Sequence, residues 1–230
     1  MTFEGFSDDT FRFLAELTAN NEKAWFESNR SRYEQHYLAP ALAFIEALGP
    51  RLAAELPGNV HYEPRVNGSL FRINRDVRFS RDKTPYKNHI DMWFWQGERK
   101  GWESPGYYMR LLPDELILGA GMHSFTKEAI EAFRQAVVDE TRGRALEETV
   151  DVVTSAGPYT LGGESRKTVP RGYDADHPRA RFLLCEGLNA NFETAIPAEA
   201  GDPGFVDYCF RHFKAMSPIN QWLSSAFREA

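Results

Sequence analysis

Six cationic side chains crowd the sixteen residues from Arg72 to Lys87: Arg72, Arg75, Arg78, Arg81, Lys83 and Lys87, against only Asp76 and Asp82. The segment carries +4 in a chain of net charge −6, so the remainder carries −10. Guanidinium groups held this close repel one another unless acids or a bound anion compensate, and the arginine fork matches carboxylate and phosphate. The chemistry this implies is capture of a small anion. Arg72, Arg75, Arg78 and Lys83 would hold it, with Arg81 and Lys87 in the same ligand-binding set. Asp76 would orient a guanidinium, Tyr86 could donate a hydrogen bond, and His89, two residues after the run, could act as acid or base beside the anion. The competing reading is structural: Asp76, Asp82 and acids from distant segments neutralise the arginines in an ion-pair network.

Other constellations are weaker. Asp174, Asp176 and His177 put two carboxylates beside an imidazole, the beginnings of a metal site or a general base, but Asp ahead of a helix with Pro178 near its first turn is explained by capping alone. His123 lies between Gly119-Ala120-Gly121 and a helix start, with a standing similar to that of His89. Ser80 and Lys83 have the spacing of an acyl-transfer pair, yet that chemistry needs a helix, which Pro85 disfavours. Gly157 to Thr168 has glycines and a Lys-Thr pair without the phosphate-cradling order. Cys185 and Cys209 sit among apolar neighbours and read as buried thiols, not as a disulfide or metal ligands. No motif calls for a cofactor.

The elements that must position the cationic run follow from periodicity. Phe11, Leu14 and Leu17 after Ser7 read as a capped helix ending near Asn20 and Asn21. A second helix, capped by Asn21, carries Phe26, Tyr33 and Tyr37. A third, opened by Pro40, carries Leu42, Ile45, Leu48, Leu52 and Leu56. Ser69–Ile73, His89–Trp95, Tyr107–Leu112 and Leu116–Ala120 read as strands, the last two joined by a turn at Pro113-Asp114-Glu115. Thr126 starts a helix that Gly143 should break, with another helix around Leu146, Val150 and Val153. Leu188–Ile196 alternates as a further strand. Phe205, Cys209, Phe213 and Met216 form a helical stripe, and Ser217-Pro218 should cap a separate last helix. The fold expected is α+β: a single domain over residues 1–230, with a mainly antiparallel sheet in the middle and helices from both termini packed on it. A subdomain boundary, if present, falls near residues 156–178.

Between its flanking strands the cationic run reads as a loop. In a strand, Arg72 and Arg78 would face away from Arg75 and Arg81. A helix is disfavoured by Thr84-Pro85. A loop can aim several cations at one spot, with Phe79 and Tyr86 buried beneath it as anchors. Trp93, Trp95, Trp102, Tyr107 and Tyr108 follow the run. Rings beside cations suit stacking of bases or sugars, but Ile90, Met92 and Phe94 make both faces of that strand apolar, which favours core over a stacking platform.

The run R-x-x-R-D-x-R-F-x-x-x-K-x-P-Y from Arg72 to Tyr86 resembles the signature of a bacterial family of conserved hypothetical proteins, Domain of Unknown Function 2461. The N-N-x-x-x-W-F of Asn20 to Phe26, the G-Y-Y of Gly106 to Tyr108, the L-G-A-G of Leu118 to Gly121 and the P-R-G-Y-D-A-D-H-P of Pro170 to Pro178 are similar to further family features. The resemblance implies a single-domain cytosolic bacterial protein; no reaction, cofactor or catalytic residue comes with it.

The leading functional expectation is a protein that binds or processes a phosphorylated or carboxylated small molecule through an arginine loop. The alternatives are a non-enzymatic module for a polyanion or acidic partner, and a purely structural ion-pair network. The negative net charge opposes general nucleic-acid affinity. No stretch is apolar over the length of a membrane span, and the opening residues lack a basic segment followed by an apolar run, so the expected location is the cytoplasm.

Overall fold

Alternation along the strands separates the central sheet into two unlike faces. In the computed structural model, which describes residues 2–97 and 103–228, the strands are β1 (Val60–His61), β2 (Ile90–Gln96), β3 (Gly106–Leu111), β4 (Glu115–Met122), β5 (Thr160–Gly162) and β6 (Leu188–Ala195). They form one sheet in the order β1-β2-β3-β4-β6-β5, each neighbouring pair antiparallel. One face carries Ile90, Met92 and Phe94, then Tyr107, Met109 and Leu111, then Leu116 and Leu118, all in the main hydrophobic core. The other face carries a different chemistry, and the register fixes it as rows across four strands. Asp91 opposes Arg110, which opposes Ile117 and then Glu193; Trp93 leads likewise to Tyr108, Gly119 and Asn191; Trp95 leads to Gly106, Gly121 and Asn189.

The helices α1 (Asp8–Ala19), α2 (Lys23–Ser28), α3 (Arg30–Tyr33) and α4 (Ala39–Glu55), with a π-helical turn at Glu34–Leu38, make up the first quarter. The helices α5 (Lys127–Val138), α6 (Glu140–Ser155), the short α7 (Ala180–Leu183) and the long α8 (Phe205–Arg228) follow. The helix α8 ties the molecule together. Its Phe205 packs edge-on against Phe6 at 5.9 Å and lies 5.3 Å from Phe44, Phe213 meets Tyr107 of β3 at 5.4 Å, and Trp222 meets Phe133 of α5 at 5.6 Å. Among the described residues, no helix is long and apolar enough to cross a membrane.

Several local expectations are corrected. Ser217-Pro218 does not start a new helix: α8 runs through both residues. Proline removes the donor that would reach the Lys214 carbonyl, and the Ser217 hydroxyl donates to that carbonyl instead, at 2.9 Å. Gly143 does not break a helix either. The break is at Asp139, whose carboxylate accepts from the Thr141 and Arg142 amides as the cap of α6. Gly143 lies within α6, where the lack of a side chain makes room for another residue: a Cβ there would come within 2.3 Å of Arg179 Nε, the atom that donates to Val137 O at 2.8 Å. Trp93 and Trp95 are buried as expected, but on the face away from the main core. Trp95 stacks with His61. Trp102 lies outside the described residues.

Candidate functional site

The cationic run does form a loop, closed at its neck by backbone pairing. Upstream, the Phe71 amide donates to Asp91 O and the Trp93 amide to Ser69 O, so residues 69–71 lie along the edge of β2, less regular than a full strand. Asn74 then pairs with Tyr86, the Arg75 amide donates to Pro85 O at 2.9 Å, and the Lys87 amide donates to Ile73 O at 2.8 Å. A distant residue clamps this neck. The Asn21 amide donates to Tyr86 O at 2.8 Å and accepts from Tyr86 N at 3.0 Å, taking over the role of a neighbouring strand. Beneath it Phe26 and Tyr86 stack with centroids 4.2 Å apart. Asn21 therefore serves the loop; it does not cap α2, whose N-cap is Glu22. Tyr86 is a buried anchor, but Phe79 is not: it is 95% exposed at the apex.

Within the loop, cations meet acids. Arg75 pairs with Asp82 at 2.5 Å and bonds to both oxygens of Thr84. Arg78 forks onto Asp76, with its closest contact at 2.6 Å, and Lys83 donates to Val77 O at 2.8 Å. Asp76 is held below its usual range chiefly by the Arg78 side chain, and Asp82 chiefly by the Thr84 amide and then by Arg75. Arg72, Arg78, Arg81 and Lys83 are exposed, while Arg75 and Lys87 are half-buried. The six cations of the run are thus not brought to one point.

The convergence lies one strand away, around Asp91. This carboxylate is 5% exposed near the start of β2, directly ahead of the apolar Met92 to Trp95. Tyr108 Oη donates to Oδ1 at 2.6 Å and Arg110 Nε to the same oxygen at 2.8 Å. Lys87 Nζ lies 3.2 Å from Oδ2, and His89 Nε2 lies 3.1 Å from it. Burial pushes this carboxyl up, but the hydrogen bonds and charge of His89 and Arg110 outweigh burial and hold it far below the usual carboxylate range. Burial, then the Asp91 charge and hydrogen bond, push the Tyr108 phenol well up, so it stays a donor. The other His89 nitrogen, Nδ1, faces Asn88 Oδ1 at 3.1 Å, and Asn88 Nδ2 donates to Thr18 Oγ1. Thr18 spends its own proton on Leu14 O, which fixes the direction of the chain.

Above this hub opens a concavity of about 630 Å³ between the end of α1 and the loop, lined by Arg75, Lys87, His89, Asp91 and Arg110 among others. Asp76 and Tyr86 also line it, whereas Arg72, Arg78, Arg81 and Lys83 do not. Sequence reasoning singled out neither Asp91 nor Arg110. The signal was present: a lone acid in I-D-M-W-F-W and a lone arginine in G-Y-Y-M-R-L are costly on half-buried strands unless they pair.

The remaining candidates form no such centre. Asp174 accepts from the Asp176 amide at 2.9 Å and His177 Nδ1 accepts from the Arg179 amide at 3.0 Å, the hydrogen bonds of a turn. Among the described residues, no group of three or more His, Cys, Asp or Glu side chains is arranged to hold a metal ion. His123 is exposed and lines a second concavity on the polar face of the sheet. Cys209 is buried, Cys185 half-buried, and both thiols are free.

The family model described as conserved hypothetical protein (DUF2461) matches residues 9–222. The chain belongs to that family. No curated protein matches it. The match spans both the N-N-x-x-x-W-F segment and the arginine run, and the geometry accounts for these two parts of the DUF2461 resemblance together: Asn21 and Phe26 of the first hold Tyr86 of the second.

Proposed function

We propose that this chain binds, and through His89 processes, a small phosphorylated or carboxylated molecule in the concavity above Asp91. The observation that carries the reading is the charge count of the hub. Arg75 is matched by Asp82 and Asp76 by Arg78, but Lys87 and Arg110 share the single Asp91, which leaves one positive charge on a partly desolvated floor even with His89 counted as neutral. The groups there are already fixed by hydrogen bonds, so little ordering is needed when an anion arrives. In this reading Lys87 and Arg110 contact the anion, Arg75 lines its rim, Asp91 positions the cations, and His89 is the group able to move a proton. A bacterial cytosolic setting belongs to the same reading, supported by two free cysteines and by the family resemblance.

A second reading has its own observation. Phe79, fully displayed between exposed Arg78, Arg81 and Lys83, fits the apex of a module that docks on an acidic partner. Calorimetric titration of the full chain with inorganic phosphate and with succinate separates the two. Saturable binding that persists in moderate salt and is lost in Lys87→Met supports the pocket, and a ligand at a hundred times its Kd would add about 2.7 kcal/mol of stability. If neither anion binds and the melting temperature is unmoved, the pocket reading fails.

A further inference from the structure

We infer that the molecule taken up carries a single anionic head and a neutral, hydroxyl-rich body, the chemistry of a sugar or polyol monophosphate, and that the body lies in the groove across the polar face of the sheet. The inference rests on the anion site proposed above and extends it. The groove is a concavity of about 690 Å³, and Arg110 lines both it and the concavity over Asp91, so the two spaces share this residue. A volume of this size suits a small ligand.

The strand register explains the shape. In the rows led by Trp93 and Trp95, β4 contributes Gly119 and Gly121, and β3 contributes Gly106, so side chains are missing along the centre of the face. A Cβ on Gly121 would come within 2.3 Å of Leu188 O, and one on Gly106 within 2.5 Å of the Trp93 ring, which lies across that glycine. The trough thus has a backbone floor and an indole on one side. Its other wall is amide. Asn189 Nδ2 donates to Asn191 Oδ1 at 2.6 Å, which leaves Asn189 Oδ1 a buried acceptor without a hydrogen-bond partner. That oxygen is shielded against Gly162, so the amide that the wall offers a ligand is that of Asn191, and a ligand hydroxyl, being both donor and acceptor, matches it.

Charge sets the orientation. The row that starts at Asp91 and Arg110 ends at Glu193, an exposed carboxylate lining the same groove. A phosphate at the Arg110 end is attracted, and a second anionic group at the Glu193 end is repelled. The groove therefore selects against bisphosphates and dicarboxylates, and for a body without charge.

Calorimetry of the full chain with inorganic phosphate, glucose 6-phosphate, fructose 1,6-bisphosphate and glucose tests this. The expected order is glucose 6-phosphate at least tenfold tighter than phosphate, with the bisphosphate weaker than the monophosphate. Asn191→Leu, on the open face and away from the core, should abolish the tenfold gain while leaving phosphate affinity unchanged. Glu193→Gln should raise bisphosphate affinity alone. If phosphate binds but glucose 6-phosphate binds no tighter, the groove assignment is overturned and the anion site stands. If neither binds, both fall together. Equal affinity of the bisphosphate in the Glu193→Gln and unsubstituted chains overturns the charge argument.

Discussion

Asp91 shows what a single carboxylate does when a sheet buries it. Leaving water raises the free energy of its charged form, and four groups, Tyr108 and Arg110 on β3 and Lys87 and His89 just ahead of β2, more than offset that cost. Removing the charge strands Arg110 and Lys87 against each other, so Asp91→Asn should destabilise the fold by about 3 kcal/mol at pH 7, read from urea midpoints. Folding depresses this carboxyl, so its contribution is complete above the unfolded carboxylate range, about pH 4, and is lost as pH falls through the lower folded value. The gap between the two chains should therefore narrow by about 1 kcal/mol at pH 3. A gap independent of pH would mean that Asp91 acts by shape and not by charge. The sequence displays both Asp91 and Arg110, but they stand 19 residues apart. Only the β2–β3 register makes them partners, and register is not visible in a cation count. The arginine run misleads for the opposite reason: neighbours in sequence looked like neighbours in space, while Asp76 and Asp82 had already claimed Arg78 and Arg75.

At the scale of elements, the loop from residue 75 to residue 85 owes its position to an asparagine more than fifty residues upstream. The two Asn21 bonds to the Tyr86 backbone replace the strand that this edge lacks, and Phe26 closes the contact from below. Asn21→Ala should cost about 1–2 kcal/mol and leave the sheet intact, because it orphans one donor and one acceptor at the neck. Hydrogen exchange locates the effect. The Arg75 and Lys87 amides, bonded across the neck to Pro85 and Ile73, should lose protection while the amides of β3 and β4 do not. Unchanged protection at Arg75 would show that the neck holds without its clamp. Elements with strong periodicity were legible before the structure: α1, α4, α5 and the strands β2, β3, β4 and β6 lie where their apolar spacing placed them. The two-residue β1 and three-residue β5 are too short to show a period. Pro218 and Gly143 read as breaks because the compensations, a serine hydroxyl and an arginine seeking space, come from elsewhere in the chain.

At the scale of the whole molecule, the organising element is α8, and its contacts bear on whether the chain unfolds as one unit. Its first turn packs on Phe6 and Phe44, its middle on Tyr107, and its end on Phe133, so the N-terminal helices, the sheet and the α5–α6 pair share one continuous core. The Phe6 amide also donates to Ala200 O, joining the N-terminal segment to the turn that leads into α8. Residues 163–178 run largely exposed over the surface, yet the segments on either side of them pair in the same sheet, β5 with β6. Among the described residues these ties cross every candidate seam, so the chain is expected to unfold as one unit. Urea unfolding followed by far-ultraviolet dichroism and by tryptophan fluorescence should give coincident midpoints. Phe213→Ala, which empties space at the centre of α8, should move both midpoints together, at a cost of about 3–5 kcal/mol. Separated transitions, or a stable fragment released by cleavage near residue 170, would place a boundary there and divide the core that α8 spans.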